Sequence, residues 1–178
     1  DASLFEVKPQ AVVFPKDQED VQALVQFVNK YKTQHPELSL TGRSAGTDMS
    51  GGPISESIIV AFGKYFNRPP TINGTIATTE SGVFYRDFEK ETLQHNLIFP
   101  SYPASREICA MGGIFNNNSG GEKSLQYGKT ERYVRRVKAV LADGKTYELK
   151  KLNEQELKQK LDQDDFEGEI YKNIYKLI

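Results

Sequence analysis

The stretch that decides the fold runs LSLTGRSAGTDMSGG over residues 38–52, where a predicted strand leads into a glycine-rich turn. Four of the chain's 14 glycines lie in residues 42–52, the first loop. Five more lie within residues 112–128. Glycine is needed where φ is positive or where another group approaches the main chain closely. Two separated clusters of this kind predict two loops that act on one ligand, the alternative being that the glycines only mark turns.

The first loop has the composition of an anion site. Its small residues allow successive main-chain N–H groups to face one concavity, which holds phosphate oxygens without a cation. Ser44, Thr47 and Ser50 add hydroxyl groups, and Arg43 is placed either to contact a phosphate or to brace the loop. The stretch lacks both the Gly-Lys-Ser/Thr ending of a Walker loop and the G-x-G-x-x-G dinucleotide fingerprint. A structural turn is the alternative interpretation.

The second loop, residues 100–128, reads PSYPASREICAMGGIFNNNSGGEKSLQYG. Its two glycine pairs permit close approach to the main chain, and three consecutive asparagines offer amide donors and acceptors. A turn-like run of 29 residues is unusual inside a compact domain that has no ligand. The segment predicts contacts with a flat, heteroatom-rich ligand that carries a pyrophosphate. The alternative is an asparagine-rich surface loop.

Length and charge exclude several function classes. The 178 residues fit one domain, and a formal net charge of −1 provides no field that would attract nucleic acid. One cysteine and two histidines argue against a multi-cysteine metal site and a histidine-based triad, so no metal is predicted. No apolar run approaches the length of about 18 residues that a membrane span requires.

Local patterns predict strands that alternate with helices, which indicates an α/β or α+β fold. Asp17 is the expected N-cap of a helix whose apolar face repeats from Val21 to Tyr31, and Cys109 is expected to be a small buried hydrophobe. From Lys150 to Ile178, 29 residues carry 13 charges.

The predicted strands are 11–14, 38–41, 57–62 and 72–81, with a hairpin of 133–141 and 146–149 that turns at Asp143-Gly144. The predicted helices are 18–35, 84–93, 153–162 and 166–177. Phe84, Phe88 and Leu93 mark the apolar face of the second helix, and Ile170, Ile174 and Leu177 form an apolar stripe on the last.

The order of these motifs resembles one family. TGRSAGTDMSGG, then FPSYPASREICAMGGIFNNNSGG, YGKT and VKAVLADG are similar to the FAD-binding domain of vanillyl-alcohol-oxidase-type (PCMH-type) flavoproteins. The nearest similarity is to D-lactate, glycolate and 2-hydroxyglutarate dehydrogenases. It covers residues 9–149.

The resemblance implies an α+β fold in which FAD lies between two α/β subdomains, at about residues 1–65 and 70–149. Residues 150–178 would be a charged helical segment that leads to a further part of the protein. The family's later glycine-rich segment and its substrate domain are not in this sequence. We therefore expect an N-terminal fragment with an incomplete FAD domain.

The resemblance also implies the cofactor contacts. Residues 44–48 match the pyrophosphate loop, residues 103–113 the stretch along the flavin and ribityl chain, residues 118–121 the family's Asn-x-Gly-Gly, and Val137 a strand beside the adenine. Thr47 stands where some relatives have a flavin-linked histidine, so we expect non-covalent FAD. The cofactor-binding residues are expected to be Arg43, Ser44, Ala45, Gly46, Thr47, Asp48, Pro103, Ser105, Met111, Gly112, Gly113, Asn116, Asn118, Gly120, Gly121 and Val137.

The implied function is a flavin-dependent oxidoreductase in which FAD accepts a hydride from a 2-hydroxy acid. The catalytic residues and the electron acceptor are not identified in this sequence. Two alternatives stay open: the FAD domain of an enolpyruvyl-sugar reductase that uses NADPH, and a non-catalytic nucleotide-binding or interaction module. We expect a cytoplasmic location, or one peripheral to the inner face of the membrane.

Overall fold

A three-stranded parallel sheet forms the first part of the molecule. The computed structural model describes residue 4 and residues 6–177, so the start of the predicted first subdomain and Ile178 lie outside the described residues. Strands β1 (Ala11–Val13) and β2 (Leu40–Arg43) flank β3 (Ile58–Ala61), and both pair with it in parallel. The first three residues of β3 are buried. Because successive side chains of a strand point to opposite faces, both faces of β3 are covered.

Helix α1 (Gln18–Tyr31) follows β1 and begins where the sequence predicts. The Asp17 carboxylate accepts from the Asp20 N–H at 2.9 Å, which satisfies one free donor at the helix start. The apolar face of α1 was expected to be buried, but no residue of α1 is fully buried. Strands of three or four residues provide too little area to cover a 14-residue helix.

Two antiparallel hairpins contain the other strands of the described residues. The predicted strand 72–81 was wrong: β4 (Thr71–Asn73) turns at Gly74, whose φ is +58°, and returns as β5 (Ile76–Thr78). Asn-Gly is a strong hairpin-turn signal, which the alternating pattern obscured. The later hairpin is confirmed as β6 (Arg136–Val140) and β7 (Thr146–Lys150), which turn through the predicted Asp143-Gly144.

The β6–β7 turn packs against α1. The side-chain amide of Gln22 donates to the Gly144 carbonyl at 3.1 Å, and that of Asn29 donates to the Ala142 carbonyl at 2.7 Å. The turn thereby joins two parts of the chain more than 100 residues apart in sequence.

The main apolar core surrounds α2 (Tyr85–Gln94). The inner face of α2 presents Tyr85, Phe88 and Thr92, so Leu93 lies one position further round and is 52% exposed, contrary to the prediction. Cys109 is confirmed as a buried core residue, and burial raises the pKa of its thiol. The core consists of Val83, Tyr85, Phe88, Tyr102, Cys109 and Ile114.

The second loop is more regular than its composition suggests. It contains α3 (Met111–Asn116) and α4 (Ser124–Tyr127), and a 3-10 turn follows at Thr130–Arg132. The expectation of 29 turn-like residues was therefore wrong. Burial of Ile114 beneath α3 provides an apolar anchor that overrides the poor helix propensity of the two glycines.

Two helices close the described chain, α5 (Glu154–Asp162) and α6 (Phe166–Tyr175). The Lys160 ammonium lies 2.6 Å from the carboxylate of Glu167, which is buried between the helices. The predicted apolar stripe on α6 is not buried: Ile174 is 51% exposed and Leu177 is 85% exposed, because the described residues cover only the first part of α6.

Residues 81–85, the central segment, connect the sheet region to the core. The Gly82 N–H donates to the Phe66 carbonyl at 2.8 Å. A Cβ at Gly82 would lie 2.6 Å from that oxygen and would also overlap the Phe62 carbonyl.

We therefore expect Gly82→Ala to lower the free energy of unfolding by about 1–3 kcal/mol, because rigid main-chain atoms must move. Urea denaturation followed by circular dichroism measures this change. As a control, Gly63→Ala places a Cβ where the structure has no atom within 4 Å, and its stability should stay close to that of the unsubstituted chain. Equal stability of the two variants would contradict the packing assigned to Gly82.

Candidate cofactor site

The two glycine loops meet at a single atom. The Ser81 carbonyl oxygen accepts from the Ser44 hydroxyl of the first loop at 2.5 Å and from the Gly112 N–H of the second loop at 2.9 Å. The loops therefore lie side by side, although Ser44 and Gly112 are 68 residues apart in sequence.

The central segment aligns the second loop through further main-chain bonds. The Tyr85 N–H donates to the Cys109 carbonyl at 3.0 Å, and the Met111 N–H donates to the Val83 carbonyl at 2.9 Å. Phe84 and Ala110 form an antiparallel bridge between these bonds. The start of α3 is thus held by a strand-like contact with buried neighbours.

The first loop retains unused donors. Strand β2 leads into it, and the chain then turns at Gly46, whose φ is +71°. Ala45, Gly46 and Thr47 are half-buried residues, and among the described residues no acceptor is bonded to their main-chain N–H groups. A main-chain N–H that has no partner in the protein needs water or a ligand to accept from it. These three N–H groups can therefore donate hydrogen bonds to an anion.

Arg43 braces the loop in this structure. Its guanidinium lies against the main chain at Gly46, in the space that a Cβ there would occupy. This position fits the bracing role, and contact with a phosphate stays a prediction. The cation also adds positive charge beside the unused donors.

Asp48 shapes the end of the first loop. Its carboxylate accepts from the Gly52 N–H at 2.8 Å and from the Ser50 N–H at 3.2 Å. These donors hold the pKa of the Asp48 carboxyl below its ordinary value, with Gly52 the larger cause. The lowered pKa means that this contribution to loop stability is present at neutral pH and is lost as the pH falls through the folded-state pKa.

The adjacent glycines of α3 have different surroundings. A Cβ at Gly112 would lie 2.8 Å from both Cβ and the carbonyl oxygen of Ser81, so this glycine permits close packing on the central segment. A Cβ at Gly113 would meet no atom within 4 Å. Among the described residues, the Gly113 N–H also has no bonded acceptor. The main chain at Gly113 is therefore free for another molecule to approach.

The Asn-x-Gly-Gly stretch is bonded to its surroundings. Asn118 has a φ of +45°, and its side-chain oxygen accepts from the Glu131 N–H at 3.0 Å. A Cβ at Gly121 would overlap the Tyr102 carbonyl and lie 3.3 Å from the Pro103 Cα. This stretch thus packs closely against the main chain that leads to Pro103.

A buried hydroxyl pair supports the same region and was missed from the sequence. Ser101 is fully buried and donates to the Ser119 carbonyl at 2.7 Å, and the Thr130 hydroxyl donates to the same oxygen at 2.9 Å. The two hydroxyl oxygens lie 3.1 Å apart. Isolated serine and threonine residues give no sequence signal for such a contact.

The other predicted residues take varied positions. The Ser105 carbonyl accepts from the N–H groups of Ile108 and Cys109, Asn116 is exposed at the end of α3, and Val137 is half-buried opposite Leu149. Within the described residues, Asn116 and Val137 take no part in the hydrogen bonds that join the two loops. Pro103, Met111 and Gly120 are half-buried.

Two cavities lie elsewhere. One of about 270 Å³ lies between Pro69-Pro70 and the start of α2, and the other, of about 400 Å³, lies between β1 and α1. None of the predicted cofactor-binding residues lines either cavity. We place the candidate site at the loops, because the unused N–H donors are there.

In the described part of the chain, no helix is both long and apolar enough to cross a membrane.

Comparisons with known proteins point the same way. A family model described as "FAD binding domain" matches residues 9–150. The chain is 32% identical over 136 residues to a D-lactate dehydrogenase of Archaeoglobus fulgidus, covering 75% of this chain and 29% of that protein. It is 28% identical over 144 residues to the glycolate oxidase subunit GlcD of Bacillus subtilis, covering 79% of this chain and 29% of that protein.

The fold has solved counterparts as well. The crystal structure of 6-hydroxy-D-nicotine oxidase from Arthrobacter nicotinovorans superposes with a TM-score of 0.67 at 20% identity, over 80% of this chain and 30% of that one. The chain thus spans less than a third of these relatives. The match over residues 9–150 covers most of the sequence, and the chain belongs to the FAD-binding domain family of flavoproteins.

Proposed function

We propose that this chain is the FAD-binding portion of an oxidoreductase that oxidises a 2-hydroxy acid such as D-lactate or glycolate, with FAD held non-covalently. One observation supports this location of the site. The first loop, which contains the unused N–H groups, is joined to the second loop because Ser44 and Gly112 both donate to the Ser81 carbonyl oxygen. The open main chain of Gly113 follows directly after Gly112. The pyrophosphate of FAD would accept from the N–H groups of the first loop, and its flat ring would lie along the main chain at Gly113.

The donor set fits the charge of the cofactor. Main-chain N–H groups at residues 45–47 would bind pyrophosphate oxygens, and Arg43 would balance part of the negative charge while bracing Gly46. Residues 103–113 would lie along the flavin and ribityl chain. Asn118, Gly120 and Gly121 would support that stretch, and Val137 would lie nearer the adenine.

When bound, FAD supplies the hydride-accepting ring, while the protein binds and orients it. The described residues provide binding groups, and we assign none of them a proton-transfer role. The proposed subdomains are residues 1–65 and 70–149, with residues 150–178 as a charged helical segment.

The substrate class rests on the relatives' names, D-lactate dehydrogenase and glycolate oxidase subunit. Both names specify a 2-hydroxy acid. We propose a location in the cytoplasm or peripheral to the inner face of the membrane. The electron acceptor is left unassigned.

The test uses the intact protein that contains this chain. After reconstitution with FAD under anaerobic conditions, D-lactate or glycolate should bleach the flavin absorbance. Succinate, which lacks the hydroxyl group, should leave the colour unchanged. Bleaching by NADPH alone would favour the enolpyruvyl-sugar reductase alternative, and a folded protein that takes up no flavin would favour the interaction module.

Acid precipitation of the reconstituted protein should release all of its flavin into the supernatant. The reason is that Thr47 offers no ring nitrogen for a bond to the flavin, and the Cys109 thiol is buried in the core. The measurement is flavin absorbance in the supernatant and in the redissolved pellet. Yellow colour that stays with the pellet would reveal a covalent link.

A further inference from the structure

We infer that the Ser44 hydroxyl is a positioning group that sets the spacing of the two glycine loops before FAD binds, and that it is not itself a ligand of the pyrophosphate. This inference rests on the proposed function, since it assigns a role within that site.

The hydroxyl of Ser44 is already committed. A serine hydroxyl has one hydrogen, and here that hydrogen is donated to the Ser81 carbonyl at 2.5 Å. Phosphate oxygens are acceptors and need a donor. Ser44 would have to break its bond to Ser81 in order to donate to a phosphate, whereas the neighbouring main-chain N–H groups are free in the described structure.

The acceptor is held in place from the other side. The same oxygen accepts from the Gly112 N–H at 2.9 Å, and the adjoining Gly82 N–H is bonded to the Phe66 carbonyl at 2.8 Å. The contact at Gly112 is close, because a Cβ there would lie 2.8 Å from Ser81. The Ser81 carbonyl is thus a fixed reference point to which Ser44 ties the first loop.

Within the described residues, no second hydrogen bond does the work of the bond between Ser44 and Ser81. Within the described residues, no other hydrogen bond joins residues 44–52 to the central segment or to the second loop. The bonds made by Asp48 stay inside the first loop. Removing the Ser44 hydroxyl would therefore free the first loop to move relative to the second without dismantling either.

The hydrogen bond between Ser44 and Ser81 should matter most for a ligand that contacts both loops. When one molecule engages two sites, the second contact gains from the effective concentration that a fixed spacing provides. ADP carries the pyrophosphate but no flavin, so it would use the first loop and not the second. FAD would use both loops and would gain from their spacing.

The experiment compares FAD with ADP as ligands of the intact protein that contains this chain, unsubstituted and as Ser44→Ala, by calorimetric titration. We expect Ser44→Ala to weaken FAD binding at least about fivefold and to change ADP binding by less than about twofold. Ser44→Thr keeps the hydroxyl and should restore most of the FAD affinity. Thr79→Val is the matched control, because it removes a half-buried residue's hydroxyl from the same region. Within the described residues, the only hydrogen bond of that hydroxyl is a long one of 3.4 Å to the Glu80 carbonyl.

The outcomes distinguish a positioning role of Ser44 from a role in the phosphate site itself. An equal loss for FAD and ADP would make Ser44 a support or ligand of the phosphate site itself and would overturn the inference, as would unchanged FAD affinity. Should Ser44→Ala fail to fold, Ser44→Cys keeps the volume with a weak donor and should show the same selective loss. An unsubstituted intact protein that folds without binding FAD would instead count against the proposed function.

Discussion

Gly113→Leu is expected to yield a folded protein without bound flavin. A Cβ at this position meets no atom within 4 Å, so the new side chain enters free space and not the core. Gly113 lies inside α3, where replacement of glycine by leucine favours the helix by about 0.5–1 kcal/mol. The same space is where we propose that the flavin approaches the main chain. A leucine there should weaken FAD binding about 10- to 100-fold, the equivalent of 1–3 kcal/mol of overpacking.

The measurement is flavin absorbance after gel filtration, together with the melting temperature of the FAD-free protein. Gly63→Leu is the matched control, because a Cβ at Gly63 also meets nothing within 4 Å, and Gly63 lies in the 3-10 turn Phe62–Lys64. That variant should keep both its stability and its colour. A Gly113→Leu protein as yellow as the unsubstituted one would refute the proposed flavin path.

Gly46→Val should impair the first loop in two ways. The residue has a φ of +71°, a region that β-branched side chains avoid at a cost of about 1–3 kcal/mol. Its Cβ would also displace the Arg43 guanidinium, which lies in that space. Both changes would disturb the unused N–H groups on either side of Gly46. We expect a loss of stability in that range and at least about a 10-fold loss of FAD affinity.

Gly74→Val is the control that separates the loss of stability from the loss of FAD affinity. Gly74 has a similar φ of +58° but lies in the β4–β5 turn with no atom within 4 Å of a Cβ. Its variant should lose comparable stability and bind FAD normally. The readouts are urea denaturation without ligand and FAD titration below the unfolding transition. Unchanged FAD affinity in Gly46→Val would contradict the assignment of the pyrophosphate to this loop.

Features with a local cause were predictable. The N-cap at Asp17 depends on one side chain and a donor three residues away, and the Asp143-Gly144 turn requires only a positive φ at the glycine, which is +77°. The buried β3 follows from its unbroken run of apolar residues. The cap and the turn would be favoured in almost any surroundings.

Features that depend on which neighbour covers a residue were not predictable. Leu93 fits the apolar spacing of α2 but falls outside the face that the core covers. Ile174 and Leu177 fit a stripe on α6 that the described chain leaves exposed. The helix α3 forms through a sequence rich in glycine, because the central segment and the buried Ile114 hold it.

The glycine spacing and the motif order sufficed to predict two loops, the FAD-binding family and an α+β chain. Tertiary structure alone decided how those loops are joined: a carbonyl at Ser81 that no pattern marks accepts from Ser44 and Gly112. It also decided that Gly112 is packed while Gly113 is open. The physical reason is that every residue has a main-chain carbonyl, and only folding determines which donors reach it.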